Sequence, residues 1–138
     1  MDKVEVIIDG EHFPARFESE AAPKTVEVIA KVLPYSEKII HVRWSGEACW
    51  IPLGDHDFGV DYENATAHPA PGQFILYPGG VSETEILVAY GGVAFASKAG
   101  PLAGNHFLTI TDGLDRLARL GRETLITGQK SIRIQRAA

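Results

Sequence analysis

With 138 residues, 45% of them hydrophobic and 22% charged, the chain has the size and composition of one globular domain with a substantial core. A formal net charge of −5 leaves no basic surplus to neutralise phosphates, which argues against nucleic acid as a partner. The single cysteine, Cys49, excludes an internal disulfide; the N-terminal MDKVEVII lacks the features of a signal peptide and no run reaches membrane-spanning length, so a cytoplasmic protein is expected.

Val4, Val6 and Ile8 alternate with Lys3, Glu5 and Ile7, as a strand with one buried face requires. Asp9-Gly10 is a two-residue hairpin signal, since both residues tolerate the positive φ of a type I′ turn. The return strand puts Phe13, Ala15 and Phe17 inward and leaves His12, Arg16 and Glu18 to water. Pro23 suits a first helical turn, and Val26, Ile29, Ala30 and Leu33 follow at i, i+3, i+4 and i+7, an apolar stripe able to close the end of a barrel before Pro34 stops the helix. A strand from Lys38 to Trp44, a Ser45-Gly46 turn and a strand from Glu47 to Ile51 come next. Trp44 and Trp50 read either as core fillers or as a pocket rim, because an indole N–H needs a polar partner. Cys49, in an apolar strand without a neighbour to lower its pKa, reads as a buried structural thiol.

Residues 54–72 carry little regular pattern and read as a solvated loop. Asp55, His56 and Asp57 are adjacent, so on an extended segment they point in opposite directions, and no second group at ligand spacing follows; no metal site is expected. The organising segment runs from Pro71 to Ile110, with strands at Phe74 to Tyr77, Glu85 to Tyr90 and His106 to Ile110. Tyr77-Pro78-Gly79-Gly80 and Tyr90-Gly91-Gly92 read as turns and lack the context of a phosphate loop, and Ser82 and Ser97 have no nucleophile-elbow setting. Thr111 or Asp112 can cap a second helix with Leu114, Leu117 and Ala118 buried, Arg116, Arg119 and Arg122 on a solvated face, and Gly121 at its end. A Gly128 turn and a strand from Ser131 to Gln135 complete a mainly β chain of about eight strands and two short helices. A closed antiparallel eight-stranded barrel capped by the helices accounts for this, since closure removes exposed sheet edges.

The order of these signals resembles the cyclophilins. EHFPARFESEAAPKTVEVIAKVL is similar to that family's second strand and first helix, HPAPGQFILYPGG to its Pro-Gly-strand-turn segment, LAGNHF to its Leu-Asp-Gly-Lys-His-Val, and GLDRLARL to its second helix. The likeness spans nearly the whole chain and implies a cyclophilin-like barrel. It departs at the isomerase machinery: the stretch matching the catalytic arginine is Ala48-Cys49-Trp50-Ile51, the pocket Gln is matched by Glu85, the pocket Trp by Pro101, and only His106 is retained. RWSGEACWIPL, YGG and GNHF look like the small bacterial and archaeal cyclophilin-like proteins of uncharacterised function rather than true prolyl isomerases.

That resemblance implies a groove on the barrel wall lined by Trp50, Tyr77, Glu85, Leu87, Asn105 and His106, with Arg43, on the preceding strand, able in principle to substitute for the missing guanidinium and counted with the ligand-binding residues. Two functions follow as expectations. The first is a binding module for a small polar metabolite or short peptide, without prolyl isomerase activity. The second is a hydrolase or isomerase in which Glu85 and His106 form an acid/base pair, a desolvated carboxyl being raised toward the pKa of imidazole. Each residue also has a plainer reading: Glu85 exposed on its strand, His106 fastening its own loop, Asn105 a turn residue. No cofactor is expected, and exposure of Trp44, Tyr35 or Phe58 would favour a homodimer.

Overall fold

The computed structural model describes residues 2–138. Its elements are β1 (Lys3–Ile8), β2 (Glu11–Phe17), α1 (Pro23–Ala30), β3 (Tyr35–His41), β4 (Gly46–Pro52), β5 (Ala65–Thr66), β6 (Gln73–Tyr77), β7 (Glu85–Val93), β8 (Ala96–Ser97), β9 (Gly100–Pro101), β10 (Gly104–Ile110), α2 (Leu114–Thr127) and β11 (Lys130–Arg136). Strands pair in the order β2-β1-β11-β3-β4-β7-β6-β10, and β10 returns to β2 with Leu108 opposite Phe17, so eight antiparallel strands close into a barrel. The mainly β, closed eight-stranded antiparallel barrel with two helices is thus as expected.

The period-2 patterns decide which side of each strand faces in. Val4, Val6, Ile8, Phe13, Ala15 and Phe17 are each 5% exposed or less, and the β1–β2 turn takes positive φ at Asp9 and Gly10 as its residues foretell. Phe74, Leu76, Ile86, Val88, Phe107 and Leu108 complete the interior with Ile132 and Ile134, and α1 adds Val26 and Ile29. The opposite faces of β4, β6 and β7 are not left to water. Ala48, Ile75, Tyr77 and Leu87 form a second, smaller core outside the barrel, roofed by Phe95 and Leu102 from the β7–β10 connection. This covered outer face is what positions the site.

Several local expectations change in the folded chain. α2 continues through Gly121 to Thr127 instead of stopping there; the glycine serves packing, since Tyr90 lies against it and a Cβ would overlap the ring. Leu117, Leu120, Gly121 and Thr124 are the buried residues of α2, while Leu114 is 41% exposed. Neither Thr111 nor Asp112 caps it by its side chain; the cap is Gly113 at φ 85, and the Asp112 carboxylate accepts from the Gly113 N–H at 2.9 Å. Gly91 and Gly92 extend β7 rather than turning it, and the missing side chains let Glu47 lie over them and accept from Gly92 N–H at 2.9 Å. Trp44 is exposed, whereas Tyr35 and Phe58 pack partly against the core. No helix among the described residues is long and apolar enough to cross a membrane.

Candidate functional site

Trp50 lies opposite Leu87, and Pro52 opposite Glu85, so by strand alternation Trp50 and Glu85 share the outer face with Leu87. Around them is a cavity of about 240 Å³. Its walls are Ile40 and His41 of β3, Val42 to Ser45 of the β3–β4 connection, Ser82 and Glu83 of the β6–β7 connection, and Ala96 to Lys98 around the β8–β9 hairpin.

Two residues set the loops that form those walls. Ser45, 4% exposed, donates to the Ala96 carbonyl at 3.0 Å and accepts from the Ala96 N–H at 3.0 Å, clamping the β8 segment onto the β3–β4 turn. The Tyr77 hydroxyl accepts from the N–H groups of Val81 and Ser82 at 3.0 and 3.2 Å, which fixes the β6–β7 loop, while its ring meets Phe95 edge-on at 6.0 Å. Tyr77 is 1% exposed, so it holds the wall from behind instead of lining the cavity.

Glu85 is the unusual member. It is 6% exposed, yet its carboxyl makes no hydrogen bond or ion pair with any described residue. Because no described side-chain polar atom is both sealed from solvent and unpartnered, its oxygens must keep their contact with the cavity. Burial, with a smaller contribution from the charge of Glu83, pushes its pKa up to about 8. At neutral pH this carboxyl is therefore mostly protonated, a hydrogen-bond donor as well as an acceptor.

The residues singled out from sequence divide sharply. Arg43, Trp50 and Glu85 line the cavity. Leu87 is a fully buried member of the outer core and does not reach it. Asn105 is neither a turn residue nor a ligand contact: it is 0% exposed, donates to Thr25 Oγ1 at 3.1 Å and the Asp61 carbonyl at 2.9 Å, and accepts from Glu63 N–H at 3.0 Å. It thus ties α1 and the 61–63 loop to β10.

His106 does not share the hollow with Glu85. Its β10 position is opposite Ile75, Ile75 is opposite Leu87, and Glu85 lies further along β7 opposite Tyr77. Intervening β6 puts two strand spacings, about 10 Å, between β10 and β7. The imidazole instead meets Thr109 Oγ1 at 2.8 Å; that hydroxyl donates to Glu18 at 2.6 Å, so it accepts from the Nε2–H. Burial lowers the His106 pKa, against the opposing pull of Glu18, which stands 3.8 Å away. Glu18 is correspondingly half-buried rather than a water-facing strand end.

The sequence reading missed Ser45, treated there as a turn, and missed Ser97 and Lys98 as cavity walls. Their separation from Glu85 in sequence hides them, and a serine followed by glycine looks the same whether it turns the chain or clamps a distant loop. Cys49 is the buried thiol expected, 3% exposed and 3.5 Å from Thr124 Oγ1, with burial pushing its pKa up to about 11.

Comparison with solved structures supports the barrel. The McbB structure in complex with tryptophan superposes with a TM-score of 0.75 at 18% identity, over 98% of this chain and 45% of that one. This chain thus spans less than half of McbB. The hypothetical protein AF2241 from Archaeoglobus fulgidus, solved in solution, gives a TM-score of 0.60 at 14% identity over 99% of this chain and 95% of that one. At such identities the likeness is one of fold. No curated protein matches the chain. The family model for a protein of unknown function, DUF3830, matches residues 6–136, and the chain belongs to that family.

Proposed function

We propose that the chain is a cyclophilin-like binding module that holds a small polar metabolite in the outer-wall cavity between Trp44, Trp50 and Glu85, without prolyl isomerase activity. One observation carries this reading. A carboxyl almost wholly removed from water has no partner in its own chain and opens on the cavity. Buried polar groups are nearly always paired, by protein or by water, so the partner this carboxyl lacks in its own chain comes from the cavity, where the polar group of a ligand can take the place of water. The volume, about 240 Å³, suits one small molecule or a single side chain of a peptide, below the ~300–1,000 Å³ of drug-sized sites.

The chain's two tryptophans both line the cavity, so their fluorescence reports on it directly. A metabolite screen read by tryptophan emission is expected to return compounds that respond in the parent and not in Glu85→Gln. Compounds whose binding survives both Glu85→Gln and Trp50→Ala would put the ligand elsewhere. L-Tryptophan, the molecule named with the McbB structure, belongs in that screen on the fold likeness alone.

A second reading, proton transfer to a bound substrate, rests on the raised pKa of Glu85, which suits a general acid near neutral pH. It uses Glu85 without His106, because the two do not meet. Conversion of a bound compound that ceases in Glu85→Gln would select it. In a proline-peptide isomerisation assay the protein should give no acceleration above background, since the cavity's one guanidinium, Arg43, is an exposed residue of the β3–β4 connection.

A further inference from the structure

Resting on the binding reading just given, we infer that the cavity selects a small organic ammonium group, its charge set against the Glu85 carboxylate and its apolar part between Trp44, Trp50, Ile40 and Val42. Charge is graded with depth here. Glu85 is buried at the floor, while Glu83, Arg43 and Lys98 are exposed residues of the surrounding loops, where solvent screens them. A ligand that enters far enough to lose its water therefore meets a carboxyl first and no buried cation.

The remaining groups near Glu85 do not compete for it. Tyr77, opposite it on β6, has its hydroxyl oxygen engaged by Val81 and Ser82. His41 of β3 also borders the cavity, but it lies opposite Cys49, on the interior side, and both its ring nitrogens are engaged, by the Val42 carbonyl at 2.8 Å and the Tyr90 hydroxyl at 2.7 Å. The two tryptophans of the lining suit the apolar part, because indole supplies a large apolar surface. An anion at the floor can pair only with the protonated form of Glu85, and a neutral alcohol gains a hydrogen bond without the charge.

Seating a cation beside Glu85 favours its ionised form, so binding at neutral pH expels a proton to the buffer. The affinity for an ammonium should then rise with pH as the empty site loses its own proton, about tenfold per unit while Glu85 remains mostly protonated.

Butylammonium, 1-butanol and butyrate, which share a four-carbon body and are optically silent, test this through tryptophan emission. Butylammonium is expected to bind at least tenfold more tightly than either analogue at pH 7.5. Its affinity should improve about tenfold from pH 6 to pH 7, and Glu85→Gln should abolish both the preference and the pH dependence. Tighter binding of butyrate or butanol, or a pH-independent affinity for butylammonium, overturns the ammonium assignment while leaving the cavity reading intact. Silence from all three probes overturns both.

Discussion

Asn105 and Glu85 are both hidden from bulk water, at 0% and 6% exposure, and they behave in opposite ways. Asn105 spends three of its four hydrogen-bonding positions on Thr25, Asp61 and Glu63, so its polarity is consumed in joining a helix and a loop to the barrel. The Glu85 carboxyl makes no hydrogen bond or ion pair with any described residue and opens on a cavity. Burial alone does not separate a structural polar residue from a functional one; what separates them is whether the fold itself satisfies it.

The largest expected effect lies on the satisfied side. Asn105→Ala should cost about 3 kcal/mol in urea denaturation, since it strands the Glu63 N–H and the Asp61 carbonyl and takes a donor from Thr25 Oγ1, whose own hydroxyl keeps its bond to the Glu63 carboxylate. Tryptophan emission of the variant that remains folded should respond to butylammonium as the parent does. A loss confined to ligand response, with stability kept, would reverse the roles assigned to the two residues.

Glu85→Gln should do the reverse. The folded-state pKa of about 8 stands above the ordinary 4.5, so between those values the unfolded chain sheds a proton that the folded chain retains, and stability falls as pH rises. The contribution of the protonated form is fully present below about pH 4.5 and is lost through pH 8. Glutamine does not ionise, so the variant should match the parent near pH 4.5 and exceed it at pH 8, by about 2 kcal/mol allowing for the partial solvation the cavity provides. Equal melting temperatures across that range would show that Glu85 is ionised or paired, and would remove the contrast with Asn105.

The smallest effect sharpens the separation of the two ionisable groups. Thr109→Val breaks the bridge between His106 and Glu18 and should cost about 1 kcal/mol, as one partly buried hydrogen-bonded link does. The butylammonium response should be untouched. Should it weaken severalfold, the His106 cluster and the cavity communicate, and the paired acid/base reading regains its ground.

Much of the frame was legible in the residues themselves. Alternation in Val4-Val6-Ile8 and Phe13-Ala15-Phe17, with Asp9-Gly10 between them, names a hairpin and its inner face, because strand period and turn chemistry are properties of adjacent residues. Pro23 likewise announced α1. The end of α2 was misread because Gly121 has a second use: its lack of a side chain admits the Tyr90 ring. A glycine looks the same in sequence whether it ends a helix or lets a neighbour approach.

Sequence by itself determined that this chain closes into a mainly β barrel and that residues 85 and 106 begin or occupy strands of its wall. Which polar groups on that wall are satisfied was decided only in three dimensions. Glu18 reaches His106 through Thr109, and Ser45 draws the 96–98 segment over Glu85, across stretches of chain far longer than any periodicity can register. Hydrophobic alternation fixes which face of a strand turns inward, but what covers the outer face depends on loops whose partners are set by closure of the whole sheet.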